Sequence, residues 1–292
     1  MTVLVCGATG NVGAAVVDDL RVQGVPVRAF VRDPARMPLL GLDVAVGDFA
    51  DPGSLRRAMT GVDRVFLSSA DGPDKVRHEA AVIDAAAEAG VELIVKAPTM
   101  LARVGSPLAP LDWNGRAEEH LRRSGVPWVI LASGFYMTNL LAAAGPVREH
   151  GVLPAPAGDG AVAMIDPRDV AAVAAVALAG DGHAGRSYRL TGPEAVTYER
   201  IARALGAEYV DVPPEAARQE LEASGMPTWL VDHLDRAFAL IRDDALAETT
   251  DVVRAVTGRD ARDIEVFARD HAAAFAGHGG SKTVSSVPPG AR

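Results

Sequence analysis

The first thirteen residues constrain the fold more than any other part of this chain. Val3-Leu4-Val5-Cys6 is a short apolar run typical of a buried parallel strand, and it leads directly into Gly7-Ala8-Thr9-Gly10-Asn11-Val12-Gly13 and a helical pattern. Glycine lets the backbone turn tightly and approach a ligand, and the free N–H groups at a helix start attract an anion. The order predicts a dinucleotide site at Gly7, Thr9, Gly10, Asn11, Val12 and Gly13, although glycine turns also join strands to helices without a ligand.

Composition limits the class of protein. With 292 residues, 49% of them hydrophobic, the chain can bury a large core. The net charge of −9 without a basic stripe argues against nucleic-acid binding. The single cysteine excludes an intramolecular disulfide and a multi-cysteine metal site, and the start lacks a signal-peptide pattern, so we expect a cytoplasmic protein. The apolar stretch 170–179 is too short to span a membrane, and no membrane contact or metal is expected.

Strands and helices alternate along the first half of the chain. The apolar runs predict strands at Val3–Cys6, Val27–Val31, Val44–Val46, Arg64–Leu67, Glu92–Lys96 and Trp128–Leu131, with helices between them. Asp51-Pro52 and Asp166-Pro167 have the sequence of helix starts, an N-cap followed by proline in the first turn. This alternation predicts an α/β fold with a Rossmann-type doubly wound parallel sheet.

After Gly134 the pattern changes to shorter strands and longer helices. We expect strands at Val162–Ile165, Ser187–Leu190 and Glu208–Val212, and helices at Pro214–Ser224, Thr228–Arg242 and Arg262–Phe275. They predict a smaller C-terminal α/β substrate lobe above the carboxyl ends of the sheet. We expect one domain over 1–276, with 1–133 mainly the Rossmann core and 134–276 mainly the substrate lobe with returning core elements. The Gly-, Ser- and Pro-rich segment 277–292 is predicted to be a disordered tail.

Seven ordered motifs over residues 1 to about 276 together resemble one family. They are Gly7 to Gly13, Val31-Arg32-Asp33-Pro34, Gly47-Asp48-Phe49-Ala50-Asp51-Pro52, Glu118-Glu119-His120-Leu121, Gly134-Phe135-Tyr136-Met137-Thr138-Asn139, Asp166 to Ala171, and Tyr188 to Glu194. This set resembles the NmrA-like branch of the atypical short-chain dehydrogenase/reductases. The resemblance implies the fold, and either an NADPH-dependent quinone or dye reductase or a redox-sensing regulator without turnover.

The end of the second predicted strand bears on the cofactor. Proteins that bind NAD have an acidic residue about 20 residues after the glycines, which binds the ribose 2′-hydroxyl. Binding of the 2′-phosphate of NADP instead requires a guanidinium group. Arg32 follows the strand directly and Asp33 precedes a proline, as turn residues do, so we expect NADPH in preference to NADH. The resemblance also assigns Asp48 and Phe49 to the adenine. Ser68 and Ser69, after the fourth strand, are expected along the ribose and nicotinamide path.

The acid–base pair of the main short-chain dehydrogenases is absent. That pair is Tyr-x-x-x-Lys, in which lysine lowers the pKa of the phenol. The residues four positions after the four tyrosines are Leu140, Gly192, Ala202 and Pro213. Alcohol–ketone interconversion by that route is therefore not expected.

Lys96 is one of three lysines and ends the strand Leu93-Ile94-Val95-Lys96. Related branches carry a Val-Lys pair here, and the resemblance implies that Lys96 handles a proton beside the nicotinamide; the alternative is a lysine that extends to solvent. Asn114 and Tyr136 are the other candidate catalytic residues, and Trp113 and Asn139 are candidate pocket walls or packing residues. The chain departs from the family at three places. It has Pro98 where the family has a serine, Asn114 where it has a histidine, and Ala132-Ser133 where it has an Arg-Pro pair.

These observations predict an NADPH-dependent reductase that passes hydride to a quinone-like or conjugated aromatic carbonyl, for example in secondary metabolism. Such acceptors delocalise the incoming charge and need less help from an acid. Two alternatives stay open: a non-catalytic NADP(H) redox sensor with a protein partner, and a tailoring enzyme that couples or rearranges aromatic intermediates. The sequence carries no signal for an oligomeric state.

Overall fold

The fold is built on one parallel sheet of seven strands. The structure, a computed structural model, describes residues 1–37 and 41–277. The strands are β1 (Val3–Cys6), β2 (Val27–Val31), β3 (Asp43–Val46), β4 (Arg64–Leu67), β5 (Leu93–Lys96), β6 (Trp128–Ser133) and β9 (Arg186–Leu190), in the order β3-β2-β1-β4-β5-β6-β9. All neighbours pair in parallel. The predicted Rossmann-type sheet is confirmed.

Helices cover both faces of this sheet because its strands are apolar on both sides. The first face carries α1 (Asn11–Val22) and α6 (Pro167–Ala179), which pack on strand residues such as Val5 and Val95. The second face carries α2 (Pro52–Met59), α3 (Lys75–Glu88) and α4 (Ala109–Arg123), with Leu55, Ile83 and Leu121 among its buried side chains. Successive residues of one strand therefore lie in different layers.

The register brings the carboxyl ends of the strands to one edge. Cys6 pairs with Phe30 and with Leu67, and Leu67 pairs with Lys96. The chain order reverses between β1 and β4, which lie side by side at the centre of the sheet. In doubly wound sheets ligands bind at this switch point, because the loops leave the two central strands in opposite directions and open a crevice.

The chain after Ser133 forms a third hydrophobic cluster, in addition to those on the two faces of the sheet, and also returns to the sheet. The cluster includes residues from a 3-10 helix (Met137–Ala143), α5 (Ala144–His150), β7 (Val152–Ala155), β8 (Ala161–Val162), β10 (Val196–Thr197), α7 (Tyr198–Ala204), β11 (Glu208–Asp211), α9 (Thr228–Arg242), α11 (Ile264–Asp270) and α12 (Ala272–Phe275). α8 (Pro214–Ala223) packs on α9. In contrast, β9 is an edge strand of the central sheet, α6 packs on that sheet, and α10 (Val252–Thr257) packs on α6 and β9.

Several predicted strand and helix boundaries differ from those in the structure. Ala161–Val162 is a strand, but Ile165, predicted to end it, makes only an isolated bridge to Tyr136. The helix predicted over Arg262–Phe275 is two short helices, α11 and α12, separated at His271. Residues 278–292 of the tail that we expected to be disordered lie outside the described residues. Within the described part, no helix is both long enough and apolar enough to cross a membrane.

Asp-Pro pairs begin two helices, as their sequence predicts. The Asp51 carboxylate accepts a hydrogen bond from the Gly53 N–H (2.9 Å) at the start of α2. The Asp166 carboxylate accepts one from the Arg168 N–H (2.8 Å) at the start of α6. Asp166 is 1% exposed and also pairs with the Arg168 guanidinium (2.6 Å), so it satisfies two kinds of donor in a buried position.

We expect Asp166→Ala to lower the free energy of unfolding by about 2–3 kcal/mol, since it removes a cap and the buried partner of a cation. Asp51→Ala, at an exposed cap, is expected to cost about 1 kcal/mol. Urea unfolding followed by circular dichroism measures both. An equal loss of unfolding free energy in Asp166→Ala and Asp51→Ala would contradict the larger stabilising effect that we assign to the buried cap.

Candidate functional site

A cavity of about 890 Å³ opens at the carboxyl edge of the sheet, above the switch point. Its walls come from both halves of the chain. The predicted cofactor residues in its lining are Gly7, Thr9, Gly10, Asn11, Val12, Gly13, Arg32, Asp48, Phe49, Ser68 and Ser69, and the lining also includes Asn114, Tyr136 and Asn139. The structure thus brings together in one cavity all but one of the residues that the sequence singles out for cofactor binding or catalysis.

Two glycines of the first turn are required by close contacts. Gly7 has a φ of +90°, and a Cβ there would lie 2.1 Å from the Ser68 carbonyl oxygen. A Cβ on Gly13 would lie 2.1 Å from the Gly7 carbonyl oxygen. Both distances are far below a van der Waals contact. A side chain at Gly7 would push the turn after β1 away from the connection after β4, and one at Gly13 would push the start of α1 away from that turn. Gly10 is less constrained, with the nearest atom at 3.3 Å.

The start of α1 faces this turn with free backbone donors. Gly10 occupies the N-cap position without a side-chain cap, and the first helical hydrogen bond runs from the Ala14 N–H to the Gly10 carbonyl (2.9 Å). The N–H groups of the intervening residues have no helical acceptor, which is the general condition for anion binding at a helix start. The Asn11 amide donates to Thr138 Oγ1 (3.3 Å) and so links the turn to the second half of the chain.

The ends of β2 and β3 form the next part of the wall. Arg32 is exposed and lines the cavity, whereas Asp33 accepts a hydrogen bond from the Ala35 N–H (3.0 Å) and serves the local turn. Asp48 accepts one from the Ala50 N–H through Oδ1 (2.8 Å), and no described residue donates to its second carboxylate oxygen. The Phe49 ring stacks on Phe30 at 5.5 Å between centroids. A flat apolar surface therefore lies beside an arginine.

Lys96 is not where a proton donor to the cavity should be. Its side chain is fully buried and lies on the α2–α4 face of the sheet, with its Nζ 2.5 Å from Glu79 Oε2 of α3. It does not line the cavity. The expected role in handling a proton beside a nicotinamide is therefore corrected: alternation along β5 puts the Lys96 side chain on the same face of the sheet as Ile94, towards α3.

Glu79 holds a second lysine. Lys75 Nζ lies 3.0 Å from Glu79 Oε1, and unlike Lys96, Lys75 lines the cavity. Burial raises the pKa of Glu79, but the two ammonium groups and two hydrogen bonds outweigh this effect and lower it to about 2. Burial lowers the pKa of Lys96, and Glu79 opposes this shift. The sequence reasoning missed Lys75 and Glu79.

Asn114 and Tyr136 border the cavity on the side of β6. The Asn114 amide nitrogen donates to the Pro110 carbonyl (2.9 Å) and to Asp71 Oδ1 (3.1 Å), and these two acceptors fix the orientation of the amide. The Tyr136 hydroxyl lies 2.6 Å from Ser133 Oγ. Ser133, which stands where the family has a proline, therefore supplies a hydrogen-bond partner for the phenol. Burial raises the pKa of Tyr136, which keeps the phenol protonated at neutral pH.

The helix α9 supplies a wall that sequence reasoning did not assign to the site. Its Leu230, Leu234, Ala237 and Leu240 line the cavity, together with His233 and Arg236. These residues are spaced along one face of a helix, and this spacing is visible in the sequence. The sequence does not show which surface of the protein that face covers. Burial lowers the pKa of His233, so its imidazole is neutral at neutral pH.

Trp113 does not line the cavity. Its ring packs edge-on against Trp229 of α9, with 5.2 Å between the ring centroids. Of its two expected roles, pocket wall or packing residue, the structure thus shows the second. The contact holds α9 against α4, so Trp113 supports the wall from behind.

Comparison with known proteins places the chain in a family. A family model described as NAD(P)H-binding matches residues 7–181, more than half of the chain. The chain is 40% identical over 282 residues to an NAD(P)H azoreductase of Xenophilus azovorans, covering 94% of this chain and 99% of the relative. It is 39% identical over 285 residues to a (4-alkanoyl-5-oxo-2,5-dihydrofuran-3-yl)methyl phosphate reductase of Streptomyces griseus, with the same coverage. The chain belongs to this NAD(P)H-binding family of Rossmann-type proteins.

A solved structure agrees with this assignment. The chain superposes with a TM-score of 0.82 and 30% identity on an NADPH-dependent quinone oxidoreductase of Escherichia coli, solved in complex with NADPH. The match covers 92% of this chain and 99% of the other. The resemblance to the atypical short-chain dehydrogenase/reductases that the seven motifs indicate is thereby confirmed.

We expect Glu79→Gln to reduce the free energy of unfolding by about 3–5 kcal/mol at neutral pH, because it breaks a buried ion pair. The pKa of Glu79 is about 2 in the folded protein, below its ordinary 4.5. Its stabilising effect is therefore complete above pH 4.5 and is lost as the pH falls towards 2.

The measurement is urea unfolding of both proteins at several pH values from 7 to 3. The difference between parent and variant should be constant down to about 4.5, the ordinary pKa of Glu79, and then narrow. A difference that stays constant over the whole range would contradict the ionised buried glutamate.

Proposed function

We propose that this protein is an NADPH-dependent reductase that transfers hydride to a quinone-like or otherwise conjugated, largely apolar acceptor. One observation carries the proposal: a single cavity combines the glycine turn and helix start typical of dinucleotide sites with an apolar wall from α9. The names of the azoreductase and quinone oxidoreductase relatives support the same class of reaction.

The residues present fit a dinucleotide. The glycine turn leaves no room for a side chain at Gly7 or Gly13, where an added Cβ would lie 2.1 Å from a carbonyl oxygen. The first N–H groups of α1 have no helical acceptor and can bind a pyrophosphate. We assign Gly7, Thr9, Gly10, Asn11, Val12 and Gly13 to the phosphates, Asp48 and Phe49 to the adenine end, and Ser68 and Ser69 to the ribose path. When bound, the dihydronicotinamide would supply the hydride.

Arg32 supports NADPH as the preferred form. It borders the cavity directly after β2, and its guanidinium makes no hydrogen bond or ion pair with the described residues. Asp33, the residue that could favour a free ribose hydroxyl, is engaged by the Ala35 N–H. A guanidinium that is free to make two parallel hydrogen bonds is suited to a 2′-phosphate.

The acceptor half of the cavity favours an apolar, conjugated compound. The cavity lining includes Met100, Leu101, Leu108 and Leu111 as well as the leucines of α9. Tyr136, whose pKa is raised, can donate a hydrogen bond to an acceptor oxygen at neutral pH. Hydride transfer leaves a negative charge on that oxygen, and a quinone spreads this charge over its ring before it takes up a proton. We assign Tyr136 and Asn114 to this end of the cavity.

The proposal is tested by the absorbance of NADPH at 340 nm in the presence of a panel of quinones and azo dyes. We expect oxidation of NADPH with at least one apolar quinone. A protein that binds NADPH tightly and oxidises it with no acceptor, yet changes its proteolysis pattern between NADP⁺ and NADPH, would instead be a redox sensor.

Arg32→Ala should weaken the binding of NADPH by about 1–3 kcal/mol, because a charge-assisted hydrogen bond to the 2′-phosphate is lost. Binding of NADH should stay unchanged. Fluorescence titration with both nucleotides measures this, with Arg21→Ala as the control, an exposed arginine of α1 outside the cavity. Equal affinities of the parent protein for NADPH and NADH would contradict the assignment of Arg32.

A further inference from the structure

Two of the three lysines in this chain share one buried carboxylate. Glu79 Oε2 lies 2.5 Å from Lys96 Nζ, and Glu79 Oε1 lies 3.0 Å from Lys75 Nζ. The Lys75 side chain is 3% exposed, and the other two are fully buried. Buried ion pairs add little net stability compared with apolar residues of the same size. The cluster therefore calls for a role beyond holding the fold together.

Lys75 connects this cluster to the cavity segment, by which we mean residues 69–74 between β4 and α3. Its ammonium donates to the Ser69 carbonyl (3.0 Å) and to Ser69 Oγ (3.2 Å), and it lies 3.4 Å from Asp71 Oδ1. Ser69 Oγ in turn donates to Glu79 Oε1 (2.7 Å). All six residues of the cavity segment line the cavity.

The cavity segment has few other attachments. No backbone N–H of the segment donates a hydrogen bond to another described residue. Its carbonyls at Gly72 and Asp74 accept hydrogen bonds only from the first turn of α3. Two polar connections therefore join the start of the segment to the buried Glu79: the hydroxyl of Ser69 directly, and the ammonium of Lys75, which alone also reaches Asp71.

The same connection reaches a candidate catalytic residue. Asp71, which the Lys75 ammonium faces, accepts a hydrogen bond from the Asn114 amide (3.1 Å). A chain of polar contacts thus runs from Lys96 through Glu79, Lys75 and Asp71 to Asn114. The other charged pair beside it, Glu118 and Arg122 (3.7 Å), lies on α4, and Glu118 favours the charged form of Lys96.

We propose that Lys75 is a positioning residue of the reductase site: it holds the cavity segment and, through Asp71, the Asn114 amide, while Glu79 and Lys96 hold its ammonium in place. The proposal rests on the proposed function in that the cavity binds NADPH and an acceptor. Lys75 itself has its donors occupied by protein acceptors, so it acts on the site through the segment.

The test compares Lys75→Met with Arg262→Met. Arg262 pairs with the buried Asp169 on α6, outside the cavity, so both changes remove a cation and leave a buried carboxylate behind. Both should lower the melting temperature. Only Lys75→Met should speed amide hydrogen exchange at positions 75 and 78, whose N–H groups donate to the segment carbonyls of Gly72 and Asp74. Only this variant should also weaken NADPH binding, by about 10-fold, because only it removes the ammonium contacts that hold the cavity segment.

Turnover gives a second readout. At saturating NADPH, Lys75→Met should lower kcat by about 10-fold or more with a smaller change in the KM for the quinone, since Asn114 loses its fixed orientation. Lys96→Met leaves the contacts of Lys75 with Ser69 and Asp71 in place. It should therefore speed exchange of the amides at positions 75 and 78 less than Lys75→Met does.

Unchanged exchange at positions 75 and 78 of a folded Lys75→Met protein would overturn the proposal, as would equal functional losses in Lys75→Met and Arg262→Met. If the parent protein binds NADPH but reduces no acceptor, the proposed function fails, and the exchange and binding measurements still decide the role of Lys75. If the parent does not bind NADPH, the exchange measurement decides it alone.

Discussion

The site depends on the close packing of the glycine turn after β1 against the end of β4. Gly7 lies so near the Ser68 carbonyl, and Gly13 so near Gly7, that a Cβ at either position would come within 2.1 Å of a carbonyl oxygen. These contacts fix the start of α1 beside the connection that leaves β4. Because the chain order reverses between β1 and β4, these contacts determine how the two connections leave the sheet at the switch point.

The cavity has one polar and one apolar part because it is built from two different structures. The carboxyl ends of the parallel strands contribute backbone donors, Arg32, Asp48 and two serines, which suit a charged cofactor. The second half of the chain contributes the leucine face of α9, held in place by the packing of Trp113 on Trp229. An acceptor bound between them would be shielded from water on one side, which strengthens electrostatic interactions at the reacting atoms.

Local patterns predicted the parts of the fold that local physics determines. Apolar runs located the seven strands of the sheet to within a few residues, and the Asp51-Pro52 and Asp166-Pro167 pairs located two helix starts. The position of α9 above the cavity was not predictable, because helical spacing identifies a buried face and not the surface that covers it. The break at His271 within the last predicted helix was missed for a similar reason, since no proline or glycine marks it.

Lys96 shows how a correct location can carry a wrong role. The sequence placed it at the carboxyl edge, but alternation along β5 puts it on the same face as Ile94, towards α3. A lysine on an inward position needs a buried counter-ion, and Glu79 shares a helical face with Val82, Ile83 and Ala86. The position of Glu79 among apolar residues at helical spacing was therefore the sequence signal for a buried ion pair with Lys96. The contact between Lys75 and the cavity segment depends on the folded loop and left no such pattern.

The most direct test of the account uses NADPH carrying deuterium at either one or the other position of nicotinamide C4. The protein is mixed with each form and an apolar quinone, and the mass of the NADP⁺ produced is measured. A cofactor held in one orientation with the acceptor against one face must lose deuterium from one form and retain it in the other. NADP⁺ that retains part of the label from both forms, or no formation of NADP⁺ at all, would contradict a single cavity that binds NADPH and a hydride acceptor together.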